Sequence, residues 1–345
     1  MQQDEFELVG LAHAPLHPSV GLAERGLAIE LHASPLGVIW QQRYLPRRLA
    51  RGDIDLFWSP LLTLPRRLPV PGVVTLHDLA VLHHPETLTW RVRLSLLPFL
   101  ESTVRQAARI LTVSHAVESE IAQQWPEAAE RIDVAWNGVA ADFRPASEDE
   151  LRAIRQRLGL PDRYVLFVGT VEPRKNLDLL LDAWEALRRE SVETPPLLVA
   201  GPDGWGSAAT HRRIERLKAL GLRRLGHLDR ADLIAVLQAA TLFIMPSLYE
   251  GFGLPAAEAM ACGVPVMVSD RSSLPEVVGD AGRLFDPDDP AELALAMRDW
   301  LESQELLSAA RARGLERSRA FTWKRSAELH ALSFRRALAM REPAP

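Results

Sequence analysis

Short runs of Val, Leu, Ile and Phe alternate along the chain with longer stretches in which apolar residues recur every third or fourth position. The first pattern is that of strands buried on both faces of a parallel sheet, and the second that of amphipathic helices. Their alternation predicts an α/β fold built on parallel sheets. In the first half the runs place strands at 6–12, 54–58, 73–76, 110–113 and 132–135. In the second half they place strands at 164–169, 197–200, 222–225, 242–245, 264–268 and 283–285. Helical spacing is plainest at Leu177, Leu180, Leu181, Trp184 and Leu187, which share one face, and a polar helix is expected over 147–158. The segment NGVAADFRP at 137–145 is rich in turn formers and reads as a linker. Each half is therefore expected to be a doubly wound domain, 1–145 and 146–322, followed by a last helix within 323–345.

At 345 residues the chain exceeds one typical core, in keeping with two domains. An apolar content of 47% and a charged content of 25% are those of a soluble globular protein. No apolar run approaches the ~20 residues that span a bilayer, and MQQDEFELVG carries acids where a signal peptide is cationic. The single cysteine, Cys262, excludes an internal disulfide and suits a reducing cytoplasm; it reads as a small buried group at a helix end. A net charge of −5 argues against a general nucleic-acid binder. Charge is uneven, however: between Leu31 and His77, arginines 43, 47, 48, 51, 66 and 67 outnumber Asp53 and Asp55. With Trp40, Tyr44 and Leu45 interleaved, segment 40–51 is a candidate for peripheral contact with an anionic membrane, the alternative being a solvated helix face.

The densest chemistry lies in SLYEGFGLPAAE, 247–258. Gly251 and Gly253 permit close backbone approach and positive φ. Pro255 suits the first position of a helix that runs to Cys262 and is stopped by Gly263. Free amides at Gly253 and Leu254 then face an anion at a helix N-terminus. Glu250 on the loop and Glu258 in the first helical turn are acceptors for paired hydroxyls, as offered by sugar and ribose rings. The complement of such a site is a sugar diphosphonucleoside. In TVEPRKN, 170–176, Arg174 and Lys175 end a strand where a diphosphate would be clamped; alone, they also read as an exposed basic pair beside an N-cap at Asn176. His77 ends an apolar strand of the first half, where it could face the cleft. Asp78 reads first as a cap of the following turn, and Ser114 with His115 as an N-cap and a helix start. His83 and His84 receive no role. Gly201, Gly204 and Gly206 read as a tight turn, and Asp286, Asp288 and Asp289 as a solvated turn in preference to a metal site.

With FVGTVEPRKNLDLLLDAW, AGPDGWG, LGHLDRADL and EAMACGVPVMVSDRSSLPEVVGDAG in this order, the 250–258 motif resembles the E-x7-E signature of retaining GT-B glycosyltransferases of the group 1 family (GT4), mannosyltransferase-like. The resemblance runs from about Phe6 to Ala339. It implies two Rossmann-like domains facing a cleft, with the last helix crossing back to the first. It further implies that Arg174 and Lys175 hold the donor diphosphate, that Glu250 positions the sugar and Glu258 the ribose, and that His77 lies near the donor sugar. The base then meets backbone of the loop with His227 and Leu228. Neither a metal nor a cofactor beyond a GDP- or UDP-sugar is implied. The activity implied is hexosyl transfer with retention, mannose favoured, to a saccharide or lipid-linked acceptor in cell-surface polysaccharide or glycolipid synthesis, in the cytoplasm or at the inner face of the plasma membrane. Two other readings are a non-catalytic partner that binds nucleotide sugar and a GT-B sugar-nucleotide epimerase; the latter lacks EGFGLP beside an Arg-Lys pair. The family opens with a strand, a glycine-rich loop and a helix, whereas this chain opens at what resembles the second strand. Because loss of a central strand outweighs the ~5–15 kcal/mol margin of a domain, Met1 is expected not to be the natural start, or the chain to be truncated, the alternative being a rearranged N-terminal sheet.

Overall fold

The structure, a computed structural model, describes residues 5–15, 27–87, 90–191, 193–205 and 208–340. Met1 and Gly206, singled out above, lie outside these. In the first half, β1 (Val9–Ala12) and β2 (Ala28–Leu31) form a two-stranded parallel sheet. A separate parallel sheet runs in the order β3 (Phe57–Ser59), β4 (Gly72–Leu76), β5 (Arg109–Thr112) and β6 (Ile132–Val134).

Several expectations are corrected here. The strand expected over 6–12 begins at Val9 and pairs with a strand that the apolar pattern did not show. Neither joins the four-stranded sheet, whose order is sequential among the described residues; the α/β fold on parallel sheets is as expected. The strand expected over 54–58 is displaced to Phe57–Ser59. What pins β2 is a charge pairing: the buried Arg48 guanidinium donates to both oxygens of Glu30 on β2, each at 2.6 Å, and to Asp53 at 2.7 Å. Arg48 is thereby withdrawn from the basic surface expected of segment 40–51. Leu45 is only 1% exposed and Tyr44 stacks on His32 at 3.7 Å, so the apolar members of that segment face inward as well.

The second half holds six parallel strands, β7 (Val165–Val168), β8 (Leu197–Ala200), β9 (Arg223–Gly226), β10 (Leu242–Met245), β11 (Val266–Ser269) and β12 (Arg283–Phe285), in the spatial order β12-β11-β10-β7-β8-β9. Strands β8, β10 and β11 are buried at every position, which is why their sequences are unbroken apolar runs. The expected helical face is realised in the helix Leu177–Glu190, where Leu177, Leu180, Leu181, Trp184 and Leu187 are all buried. Strand order reverses between β7 and β10. In an open parallel sheet the crevice at that reversal, beyond the carboxyl ends of the strands, is where ligands bind.

The last helix, Trp323–Ala339, returns to the first half, where Phe334 and Ala337 pack with Val73, Leu111 and Ala135. The opposite face of the four-stranded sheet is covered by Leu100 and Val104 of the helix Trp90–Gln106 and by Val117 and Ile121 of the helix His115–Gln124. The linker and the returning segment run side by side, with Val139 N donating to Phe321 O at 3.0 Å. A Cβ on Gly138 would lie 2.2 Å from the backbone nitrogen of Trp323, so this crossing requires glycine. Gly138→Ala is expected to lower unfolding free energy by about 1–3 kcal/mol, as overpacking does elsewhere; denaturant melts that superimpose on wild type would remove the steric argument.

Candidate functional site

The loops that leave β7 and β10, on either side of the strand-order reversal, are 169–176 and 246–253, and they contain the two motifs singled out in the sequence. Their backbones meet, Leu248 N donating to Arg174 O at 2.9 Å. Asn176 closes the first loop at φ 50°, a left-handed conformation that Asn tolerates. Its side chain donates to Pro287 O and does not cap the following helix. Glycine is required where the strand ends crowd together: a Cβ at Gly201 would lie 2.1 Å from Gly169 O, and one at Gly204 would lie 2.7 Å from Val171 O. The described part of this glycine cluster runs alongside the 169–171 segment, Asp203 bridging to Val171.

Glu250, 7% exposed, lies between the two cations: Lys175 Nζ is 2.6 Å from its Oε1 and Arg174 Nη1 is 3.2 Å from its Oε2. Arg174 also donates to Tyr249 O and to Glu172 Oε1, both at 2.8 Å. Burial pushes the Glu250 carboxyl up, but Lys175 and Arg174 more than reverse this and hold it below the usual carboxylate value. In this state the two cations neutralise a buried carboxylate. Backbone bonds fix the same residue, since Glu250 N donates to Ser272 Oγ at 2.8 Å and Glu250 O accepts from Ser272 Oγ at 2.7 Å and Ser273 Oγ at 2.9 Å.

The helix Leu254–Ala261 starts directly beyond, with Gly253 at φ 96° as its N-cap and Pro255 within its first two positions. No side chain caps it, and the amides of Gly253 and Leu254 have no hydrogen-bond partner among the described residues. An anion site at these amides thus remains available. Glu258 falls beyond the first turn, not within it as expected. Its carboxylate makes no hydrogen bond or ion pair among the described residues, and burial pushes it up to about 7 against the opposing charge of Arg230. Two carboxylates eight positions apart are thus in opposite states: one ionised and paired, the other half-buried and easily protonated.

The third set of residues comes from the other half. His77 follows β4 and is exposed, its Nε2 3.0 Å from Pro60 O. A Cβ on Gly251 would lie 1.8 Å from His77 O, so the close approach expected of Gly251 is to the opposing half and not to a ligand. Ser114 caps the helix His115–Gln124 as expected, and its hydroxyl also donates to Gly251 O at 2.7 Å. Asp78 accepts from Ala80 N, the capping role read for it. Tyr249, unread in the sequence, accepts from Leu79 N at 2.8 Å and donates to Glu120 Oε2 at 2.6 Å; only its place beside Glu250 could have drawn attention. His83 and His84, given no role, lie against its ring. His227 is exposed and Leu228 half-buried, both after β9, which is separated from β7 by β8. They stand apart from the Glu250 cluster. Asp289 caps the helix Pro290–Glu302, while Asp286 and Asp288 pair with Arg271.

Family models described as glycosyl transferases group 1 and Glycosyltransferase Family 4 match residues 151–317 and 4–143. The O-antigen chain mannosyltransferase B of Escherichia coli is 36% identical over 304 residues, 85% of this chain and 78% of that protein. The chain belongs to glycosyltransferase family 4. The serotype-specific mannosyltransferase WbdA of Escherichia coli is 30% identical over 244 residues, covering 68% of this chain but only 29% of that longer protein. The structure of Anabaena Alr3699/HepE in complex with UDP and glucose superposes with a TM-score of 0.75 at 20% identity, over 94% of this chain and 90% of that one. The fold of this family member is GT-B.

The raised Glu258 carboxyl has a consequence for stability. Because the folded state holds its proton to higher pH than the unfolded chain, stability falls as pH rises from the ordinary value of 4.5 through about 7. Glu258→Gln removes this penalty. The variant is expected to match wild type near pH 4 and to exceed it by up to about 3 kcal/mol near pH 8, at ~1.4 kcal/mol per pH unit. Unfolding measured at both pH values decides the point, and an equal effect at both would contradict it.

Proposed function

We propose that this family 4 member is a retaining hexosyltransferase that moves mannose from a GDP- or UDP-sugar to a saccharide or lipid-linked acceptor in cell-surface polysaccharide or glycolipid synthesis. The observation that carries the reading is the cluster at the strand-order reversal, where Arg174, Lys175 and Glu250 stand beside the unpartnered amides of Gly253 and Leu254. The names of the two E. coli relatives favour mannose, and the UDP and glucose named with the Anabaena structure keep a UDP-sugar in view.

In this reading the diphosphate takes the two amides and draws Arg174 and Lys175 toward itself. Charge that accumulates on the leaving phosphate strengthens those bonds as the sugar–oxygen bond breaks, so the cations assist the chemical step. Glu250, released in part from the cations, accepts from sugar hydroxyls, and Glu258, when ionised, accepts from the ribose. His77 lies across the cleft, against the sugar. The acceptor oxygen bonds to the anomeric carbon on the face that the phosphate leaves, and its proton passes to the leaving phosphate. A peripheral seat at the inner face of the plasma membrane would rest on exposed Leu36, Val38 and Ile39 beside Arg43 and Arg47, since Arg48 and Leu45 are buried.

Thermal melting across UDP-, GDP- and ADP-sugars tests the donor site: one nucleotide is expected to raise the midpoint, and a panel without any shift would count against the reading. Arg174→Ala with Lys175→Ala is expected to lower turnover per folded molecule by at least ~10², each cation being worth a few kcal/mol in the transition state. Unchanged turnover would remove their assignment, and the anomeric configuration of the product, read by NMR, decides retention.

A further inference from the structure

The N-terminus of the helix His115–Gln124, in the first half, is completed by the second half. Ser114 satisfies Val117 N at 3.2 Å. The two amides before it, of His115 and Ala116, donate to the two oxygens of Glu276, at 3.0 and 3.1 Å, and Oε1 also accepts from Trp136 Nε1 at 2.7 Å. A carboxylate at this end of a helix meets both free amides and the positive end of the helix dipole. Glu276 belongs to the short helix Leu274–Val278 of the second half. Its own backbone is held by Arg317, which donates to Glu276 O at 2.7 Å and Val277 O at 3.1 Å and lies over the rings of Trp136 and Phe321.

The same short segment grips the catalytic loop. Ser272, four residues earlier, sits at φ 49°, a strained conformation for serine, and its hydroxyl binds both the amide and the carbonyl of Glu250. Residues 272–276 therefore connect the Glu250 peptide at one end to a helix of the opposite half at the other. That helix reaches back through Ser114 to Gly251. The loop is closed by hydrogen bonds from Glu250 to Ser272, by the chain from Ser272 to Glu276, and by hydrogen bonds from Glu276 to the helix start and from Ser114 to Gly251.

We propose that Glu276 is a positioning residue for glycosyl transfer: by clasping the helix His115–Gln124 it sets the register of Glu250 and Gly251 against His77. This rests on the transferase reading above. A carboxylate needed only to stabilise its own half would find donors there, whereas all three donors to Glu276 side-chain oxygens come from residues before the linker at 137–145. Small displacements of reacting groups are costly, so loss of the clasp should act on turnover before it acts on nucleotide binding, whose groups lie within the second half.

The test is Glu276→Ala beside Glu276→Gln, which keeps the shape but only one acceptor oxygen. With enzyme concentration corrected for folded fraction, Glu276→Ala is expected to lower kcat by at least ~10-fold, with the dissociation constant of free nucleoside diphosphate unchanged and the radius of gyration from X-ray scattering increased. Glu276→Gln should recover part of both losses, and it serves as the informative variant if Glu276→Ala does not fold. Unchanged kcat per folded molecule in both variants, or a fall explained by folded fraction alone, overturns the proposal. If wild type turns over no donor, the transferase reading fails by itself. Scattering then decides the clasp, an unchanged radius for Glu276→Ala overturning it and an increased one supporting it.

Discussion

The burial of the Glu250 carboxylate is the constraint around which the site is built. An ionised carboxylate taken out of water costs several kcal/mol unless opposing charge and hydrogen bonds offset it, and here Lys175 and Arg174 supply both. Those cations come from the loop after β7 and the carboxylate from the loop after β10, so neutralising one buried charge fixes two loops across the strand-order reversal. The further bonds from Arg174 to Tyr249 O and Glu172 leave its guanidinium in one orientation. Whatever anion enters must trade with Glu250 for these cations.

Glu258 shows the other way in which a carboxylate can be held. Among the described residues no cation pairs with it as Lys175 and Arg174 pair with Glu250, and burial, against the more distant charge of Arg230, leaves it with a proton up to about pH 7. Pairs of acids whose surroundings push them apart are a common basis for assigning different tasks to one residue type. The sequence motif shows two identical residues at a fixed spacing; the environment makes one a permanent anion and the other a group whose charge depends on pH and on what occupies the cleft.

Legibility in the sequence followed burial. Strands β7, β8 and β10 stand within one or two residues of where the apolar runs put them, because strands covered on both faces have nearly unbroken apolar sequences. β2 did not declare itself: AIEL is short, half-exposed and interrupted by the glutamate that binds Arg48, eighteen residues away. Charge counting over 31–77 treated Arg48 as surface for the same reason, since a bidentate pairing across that separation leaves no local trace. The motif residues Glu250, Arg174 and Lys175 were found by type and spacing, but their mutual pairing was not, and neither were Tyr249, Ser272 and Glu276. These act through contacts between halves, which no window along the chain contains.

Beside the apolar packing of Val113 and Trp136 against the second half, the junction near the site carries directional polar contacts: Ser114 on Gly251 O, Leu79 N and Glu120 on the Tyr249 hydroxyl, and the three donors on Glu276. Each such bond contributes only about 0.5–3 kcal/mol net, because water replaces the partner when the contact opens. An apolar seam of the same extent would not be refilled by water in this way. Interfaces of this polar kind between domains of one chain permit relative motion. A glycosyltransferase cleft that must admit a donor and an acceptor and release two products needs contacts that are specific in register yet inexpensive to break. Directional bonds between a few side chains and backbone groups meet both requirements, and they end on the loop that carries Glu250.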